Sequence, residues 1–308
     1  MRFSIIIPLY NKSPHIEQTI HSVFAQTHQD FEIIVVDDGS TDEGADIVAA
    51  INDPRLRLAR QANAGVSAAR NKGIDMANSN FVAFLDADDL WFPNHLETLT
   101  HLISVYPGCG MYATSFTLGN GNESQTSKFP LSEPIGWHKI FTLEEYLNFM
   151  IHSNLICTDT ICMWKGIFST IGKFEVGLDR GEDLDMWLRA AVFMPVAFIN
   201  EITAIYNIGA VNRSLNKCPP DLGAGLKRHA EMIASDSFSH DIKEKLYEYY
   251  AKRMINRGQE ALKHGYRKET FFCIKQSYKT KIFRVALLKL LIKYLFSSHK
   301  KTIVHSKI

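Results

Sequence analysis

The chain has five cysteines, at 109, 157, 162, 218 and 273, scattered, odd in number and never in a C-x-x-C pair. That usage argues against a disulfide framework and against a zinc site, and it fits a reducing compartment. An uncharged apolar run of the roughly 18 residues that a spanning helix needs is also missing. The opening Met1-Arg2-Phe3-Ser4-Ile5-Ile6-Ile7-Pro8 is too short an apolar run for a secretory leader and reads as a first buried strand. Internal repeats and low-complexity tracts are absent as well. What remains is an ordinary globular composition, 46% hydrophobic and 22% charged, in 308 residues, enough for one large domain or one domain with an appendage.

Net charge is low, at +1, but it hides a split. Residues 1–215 carry 14 Lys and Arg against 25 Asp and Glu, a net of −11, whereas residues 216–308 carry 20 against 8, a net of +12. Such asymmetry between chain halves points to two modules, 1–215 and 216–308, with different surroundings.

Strand and helix signals alternate through the first hundred residues. Apolar runs at 3–8, 31–36 and 81–85, with a shorter one at 56–60, are separated by helical patterns at 16–26, 43–51 and 65–77. Unbroken apolar strands divided by helices imply a mostly parallel α/β sheet covered on both faces, with ligands bound beyond the carboxyl ends of the strands. Later candidates are a strand at 111–118, a mobile polar loop at 119–134, helices at 142–151 and 183–193, and short strands at 196–200 and 203–207. Beyond Pro219-Pro220 the chain reads as helical and basic.

The run Phe81-Val-Ala-Phe-Leu-Asp86-Ala87-Asp88-Asp89 leads an apolar strand into three carboxylates spaced D-x-D-D. Alternate residues of a strand share a side, so Asp86 and Asp88 converge just past its end. Carboxylates so placed repel unless a cation sits between them, and all-oxygen ligands suit Mg²⁺ or Mn²⁺. A polar turn capping the next helix is the other reading. The second strand ends in Asp37-Asp38-Gly39-Ser40-Thr41-Asp42, where one carboxylate faces the crevice, free to accept from a base N–H, while the other caps a turn. A plain D-G turn satisfies the same residues. In Asn63-Ala-Gly65-Val-Ser-Ala-Ala-Arg70-Asn71-Lys-Gly73, Gly65 permits close backbone approach and Arg70 offers a planar cation to phosphate or a base face, unless it is an ordinary surface arginine.

Strand and D-D-G-S, then N-A-G-x-x-x-A-R-N-x-G, then strand and D-A-D-D, in that order, resemble the inverting GT-A glycosyltransferases of family 2. Ile5-Ile6-Ile7-Pro8-Leu9-Tyr10-Asn11 and Ser22-Val23-Phe24-Ala25-Gln26-Thr27 are similar to that family's first strand and helix. The resemblance covers about residues 1–215. It implies a GT-A, Rossmann-like sheet with flanking helices, followed by a C-terminal helical region. The implied reaction is transfer of a sugar from a nucleotide-diphosphate donor, a UDP-sugar above all, to an acceptor hydroxyl with inversion. By the same resemblance Pro8 and Tyr10 line the nucleoside pocket, Asp38 contacts the base, and Gly65 and Arg70 flank the nucleotide. Asp86 lies near the ribose with Ala87 beside it, and Asp88 holds Mn²⁺ or Mg²⁺ on the diphosphate. Asp89 and Trp91 shape the site next to it, with Trp91 equally readable as a core anchor.

A second acidic cluster stands at Gly181-Glu182-Asp183-Leu184-Asp185-Met186-Trp187-Leu188-Arg189. Acids in a helix's first turn suit its dipole, which gives a purely structural reading. Inversion, however, needs a base opposite the leaving group to take the acceptor proton. The run resembles the family's E-D motif, which implies Asp183 as base, Glu182 on the acceptor or sugar side, and Asp185 as the substitute. One departure stands out: Asn207 follows Tyr206 where relatives carry a basic residue, with Arg213 or the Ser214 region as candidates to compensate.

The segment 282–296, with Arg284, Lys289 and Lys293, is apolar on nearly every face, too short and too charged to span a bilayer. Continued by His299-Lys300-Lys301, it reads as a peripheral contact at the inner face of the cell membrane in an otherwise cytoplasmic protein. Packing on the catalytic domain or on a second copy as a homodimer is the alternative. Nucleic acid is not expected, since no binding motif and no interleaved stacking aromatics occur. The resembled family places the acceptor, a glycan or lipid-linked sugar, in bacterial surface polysaccharide or lipopolysaccharide synthesis. Two rivals come from other classes. One is a non-catalytic sugar-nucleotide-binding partner subunit. The other is a phospho-accepting receiver-like domain, whose acidic pair should follow the first strand rather than the second.

Overall fold

The computed structural model describes residues 1–120, 123–125, 133–153, 156–178, 180–210, 223–278 and 284–296. Much of the 119–134 loop, Arg213, Ser214, Pro219, Pro220 and residues 282–283 and 297–301 of the basic segment lie outside the described residues. The chain divides into two compact units, Met1–Tyr146 with His152–Ser214, and Leu147–Ile151 with Leu215–Ile308.

The first unit opens with β1 (Phe3–Leu9), α1 (Ile16–Phe24), β2 (Phe31–Asp37), α2 (Gly44–Ala50), β3 (Leu56–Arg60), α3 (Val66–Met76) and β4 (Phe81–Phe84). It continues with β5 (Leu90–Trp91), α4 (His95–Val105), β6 (Met111–Asn120), β7 (Glu123–Gln125), β8 (His138–Phe141) and α5 (Leu143–His152), whose residues Leu147–Ile151 belong to the second unit. A 3₁₀ turn at Thr158–Thr160 leads into β9 (Ile161–Trp164), followed by α6 (Phe168–Ile171), α7 (Glu182–Phe193) and β10 (Val196–Asn207). The sheet runs β3-β2-β1-β4-β9-β6-β10-β5, with β7 on β6 and β8 on β10.

The four leading strands pair in parallel, and Phe3, Ile5, Ile6, Ile7 and Leu9 of β1 are all fully buried. An unbroken apolar run does this only where helices cover both faces of the sheet. On one face α1 packs through Ile16, Ile20 and Val23, the residues its helical spacing places together. On the other, α3 approaches β1 closely at Gly73, where a Cβ would stand 2.4 Å from Ile6 Cγ2. Ile6 is β-branched and stiff, so Gly73→Ala is expected to destabilise by about 1–3 kcal/mol; an unchanged urea midpoint would contradict this packing.

The other half of the sheet is mixed. β9 runs antiparallel to β4 and β6, β10 is parallel to β6, and β5 and β8 are antiparallel to β10. The two strands expected at 196–200 and 203–207 are one strand, β10, with its register broken between Phe198 and Ile202 and again before Ala204. Asn200 holds that irregularity: its N–H donates to Trp137 O at 2.7 Å and its Nδ2 to Glu133 O at 2.8 Å. β1 has β2 on one side and β4 on the other, so the crossovers leave it in opposite directions and open a crevice at the carboxyl ends of β1 and β4.

His95, at the start of α4, is fully buried, with Nδ1 2.7 Å from Thr203 Oγ1. Burial lowers its pKa from 6.5 to about 3. Between those values the unfolded chain binds a proton that the folded chain does not, so this histidine costs stability as pH falls through that window. His95→Gln is therefore expected to lose less stability than wild type from pH 7 to pH 5 in denaturant titrations.

The second unit contains α8 (Gly223–Ala234), α9 (His240–Lys263), α10 (Arg267–Ser277) and α11 (Arg284–Phe296). Ser239 caps α9, its Oγ accepting from Ile242 N. Ile255, Ile274, Leu287 and Leu290 form this unit's helical core. Among the described residues no helix is long and apolar enough to cross a membrane.

Candidate functional site

The crevice begins where β1 leaves the sheet. Ile6 O accepts from Leu85 N at 3.1 Å, so Ile6 faces β4, and Pro8, two residues on, faces the same way past the end of β4. A missing N–H costs no ladder bond there, which is where a proline is tolerated inside a strand. Tyr10 is 44% exposed beyond it. The next turn is tied to the D-D-G-S-T loop, with Asn11 N–H donating to Ser40 Oγ, Thr41 N–H to Asn11 Oδ1, and Ser13 N–H to Asp42 Oδ2.

The adjacent acids at the end of β2 hold two different loops. Asp37 Oδ1 accepts from Ser40 N and caps the turn. Asp38, almost fully buried, turns to the loop before α3. Its Oδ1 accepts from Gln61 Nε2 at 2.7 Å and Ala64 N at 2.9 Å, and its Oδ2 from Gly65 N at 2.8 Å. Gly39 lets that loop come close: its φ is +75°, and a Cβ would meet Asn63 N at 2.9 Å. Asp38 therefore shapes the crevice by fixing Gly65, which enters α3 with φ +90°.

Arg70 is the hub. It is 2% exposed, donating from Nη2 to Asp86 Oδ1 at 2.7 Å and from Nη1 to Glu182 Oε1 at 2.8 Å. Its guanidinium also lies over the Phe174 ring at 5.4 Å. Burial works against its charge, but Asp86 and Glu182 outweigh that and hold its pKa above the usual value, with Asp183 adding to the effect. One buried cation thus joins the D-A-D-D strand end to the first turn of α7. Glu182 is pushed up, by burial first and by Asp183 second, more than Arg70 lowers it. Asp183, half-buried in that first turn, accepts from Leu184 N at 2.7 Å. Asp185 turns away into an ion pair with Arg189 at 3.0 Å, which in turn donates to Ile171 O and Lys173 O. It braces the 171–173 segment, so its reading as a substitute base is corrected.

Two residues absent from the sequence reading complete the acidic loop. Lys12 Nζ lies 2.6 Å from Asp88 Oδ2. Burial pushes the Asp88 pKa up, only partly offset by Lys12, while Asp86 raises it further. Asp159, fully buried, accepts the Asp86 N–H at 2.7 Å. It is hydrogen-bonded to Asp89, and burial with the charge of Asp86 raises it to about 7. Asp89 is raised well above the usual range, by burial and then by Asp159. Both shifts come from burial and from like charges crowding one another. Asp89 also accepts from Asn207 N at 2.6 Å, so the pair fastens the loop to the end of β10 and gives Asn207 a structural task.

Trp91 and Ala87 are corrections. Trp91 is 4% exposed, stacked on His95 with centroids 4.0 Å apart, its indole N–H donating to Asp159 O at 2.7 Å. It is the core anchor and offers no face to a sugar. Ala87 is buried with its carbonyl accepting from Thr19 Oγ1 at 3.1 Å, so it fixes the loop rather than lining it.

Oxygens of Asp86, Asp89 and Asp159 lie within 4.8 Å of one another, close enough for one cation. Asp88 already rests against a positive charge, and Asp86, the most exposed of these acids, stands next to it in the D-x-D. An all-oxygen set of carboxylates of this kind fits Mn²⁺ or Mg²⁺.

The signal for Lys12 was its place directly after the first strand. Asp159 had none of that kind, because β9 is antiparallel and brings its amino end to this edge of the sheet.

The profile described as "Glycosyl transferase family 2" matches residues 4–171. The uncharacterized glycosyltransferase RC0461 of Rickettsia conorii is 42% identical over 253 residues, 77% of this chain and 38% of its own length. The succinoglycan biosynthesis protein ExoW of Rhizobium meliloti is 45% identical over 101 residues, 31% of this chain and 32% of its own. The chain spans about a third of the length of the curated relatives it matches. Among solved structures, S. aureus TarS 1-349 in complex with UDP-GlcNAc superposes with a TM-score of 0.69 at 17% identity, covering 96% of this chain and 92% of that one. The mannosyltransferase PcManGT from Pyrobaculum calidifontis, in complex with GDP-Man and Mn²⁺, does so with a TM-score of 0.60 at 16% identity, covering 96% and 87%. These likenesses establish the GT-A fold.

Proposed function

Since the chain belongs to glycosyl transferase family 2, we propose that it moves a sugar, with inversion, from a nucleotide-diphosphate donor to a hydroxyl of a glycan or lipid-linked acceptor. The observation that carries this reading is Arg70. Through Asp86 and Glu182 it makes two acidic clusters, about a hundred residues apart in sequence, into one site. The donor's nucleoside lies along Pro8, Tyr10 and the Asp38–Gly65 wall, where the remaining lone pair on Asp38 Oδ2 can accept from a base N–H. The diphosphate lies toward Arg70 and the D-x-D. Asp86 and Asp88 would hold Mn²⁺ or Mg²⁺, which when bound neutralises charge on the departing nucleoside diphosphate. Asp183 takes the acceptor's proton as its oxygen attacks, a role that typically contributes about 10²–10⁴-fold. Glu182, held by Arg70, sets the position of that first turn.

TarS and PcManGT were solved with UDP-GlcNAc and GDP-Man, and ExoW is named for succinoglycan biosynthesis. These support a nucleotide-diphosphate-sugar donor, a divalent cation and a place in surface polysaccharide synthesis for this chain. A thermal-shift panel of nucleotide sugars with and without Mn²⁺ tests the reading. One donor is expected to raise the Tm, and more so with the metal. No shift with any donor under either condition would remove the proposal.

A further inference from the structure

The basic end of the chain carries apolar surface that its own packing leaves uncovered. Within the second unit, α11 docks through Leu287 and Leu290 against Ile255 and Ile274. Its other side exposes Leu288, Ile292 and Leu295, at 55%, 45% and 63%. Their spacing of i, i+4, i+7 makes one stripe along the helix. Lys289 and Lys293, each one residue further on and exposed, border that stripe on one flank. Helix α10 repeats the pattern with Lys268, Phe271, Phe272 and Lys275, all exposed at i, i+3, i+4, i+7. The two helices meet where the Phe271 and Tyr294 rings lie 6.1 Å apart. After Glu269 the sequence holds nine Lys and Arg and no Asp or Glu.

We infer that this face docks on an anionic lipid bilayer, its leucine, isoleucine and phenylalanine side chains entering the headgroup boundary and its lysines meeting lipid phosphates. Charge complementarity selects this occupant. A second copy bound through the same face would set two lysine-bordered surfaces against each other, and like charges repel. The apolar faces of α11 thus have separate tasks: Leu287 and Leu290 hold the helix to its unit, and the Leu288 stripe meets lipid. This surface does not depend on the proposed reaction.

Co-sedimentation of the full chain with phosphatidylcholine vesicles, with and without phosphatidylglycerol, tests it. Binding is expected only to the anionic vesicles and weakens with salt. The triple variant Leu288→Ser, Ile292→Ser, Leu295→Ser is expected to lower the partition constant at least about tenfold. Lys289→Glu with Lys293→Glu, which leaves apolar packing untouched, lowers it to a similar degree. Absence of vesicle binding, equal binding to neutral vesicles, or wild-type binding by the lysine pair variant overturns the inference. So does a concentration-dependent dimer that the triple variant abolishes without any vesicle binding, since that assigns the face to a second copy.

Discussion

Asp183→Asn is expected to lower turnover by about 10²–10⁴-fold while leaving donor affinity unchanged. Asparagine keeps the oxygen that accepts from Leu184 N and loses only the ability to take a proton. The residue is half-buried at the start of α7, and asparagine is close to it in size, so the variant is expected to fold. Single-turnover kinetics alongside calorimetric donor binding separate the outcomes. If turnover fell together with donor affinity, Asp183 would be a binding residue. If turnover were unchanged, the base would lie elsewhere, and Asp185 is poorly placed to supply it because Arg189 occupies its carboxylate. Asp185→Asn is expected to lose stability rather than chemistry.

Arg70→Met is expected to cost about 3–5 kcal/mol of folding stability and to abolish measurable donor binding. Methionine fills much of the volume but leaves Glu182 and Asp86 facing one another without their shared cation. Arg70→Lys does not rescue it, since one ammonium cannot reproduce two donors set in a rigid fork. The comparison variant is Glu182→Gln. It keeps an acceptor for Arg70, removes a carboxylate whose pKa burial raises, and should fold at close to wild-type stability. A Met variant within about 1 kcal/mol of wild type, as for an exposed ion pair, would show that Arg70 is not the buried hub described above.

The leading half of the sheet is readable in the sequence because β1 and β2 are long, buried on both faces and therefore written as unbroken apolar runs. β1, β2, β3 and β4 fall where those runs do, with α1, α2 and α3 between them. The rest is hidden for physical reasons. β5, β8 and β9 have two to four residues each, too few for a period to emerge. The irregularity at Asn200 and Glu201 breaks the apolar pattern of β10 without breaking the strand. At the site, parallel-sheet logic directs attention to residues that follow strands, and Asp38, Asp86 and Asp88 are such residues. Asp159 precedes an antiparallel strand and stays invisible to that rule. Trp91 illustrates a different gap: its neighbours in sequence are acidic, but its partners, His95 and the Asp159 carbonyl, bury it. Patterning at 282–296 shows apolar residues on nearly all faces. Only the packing of Leu287 and Leu290 separates those that are covered from those that are not.

The measurement closest to the central claim follows the anomeric proton by NMR. The purified chain is incubated with Mn²⁺ and the donor that stabilises it, and the sugar released to acceptor or water is observed before it mutarotates. The account predicts that the first product carries the anomeric configuration opposite to the donor's, and that Asp183→Asn slows its appearance by at least about a hundredfold. A first product with retained configuration, or equal rates for wild type and variant, would contradict it.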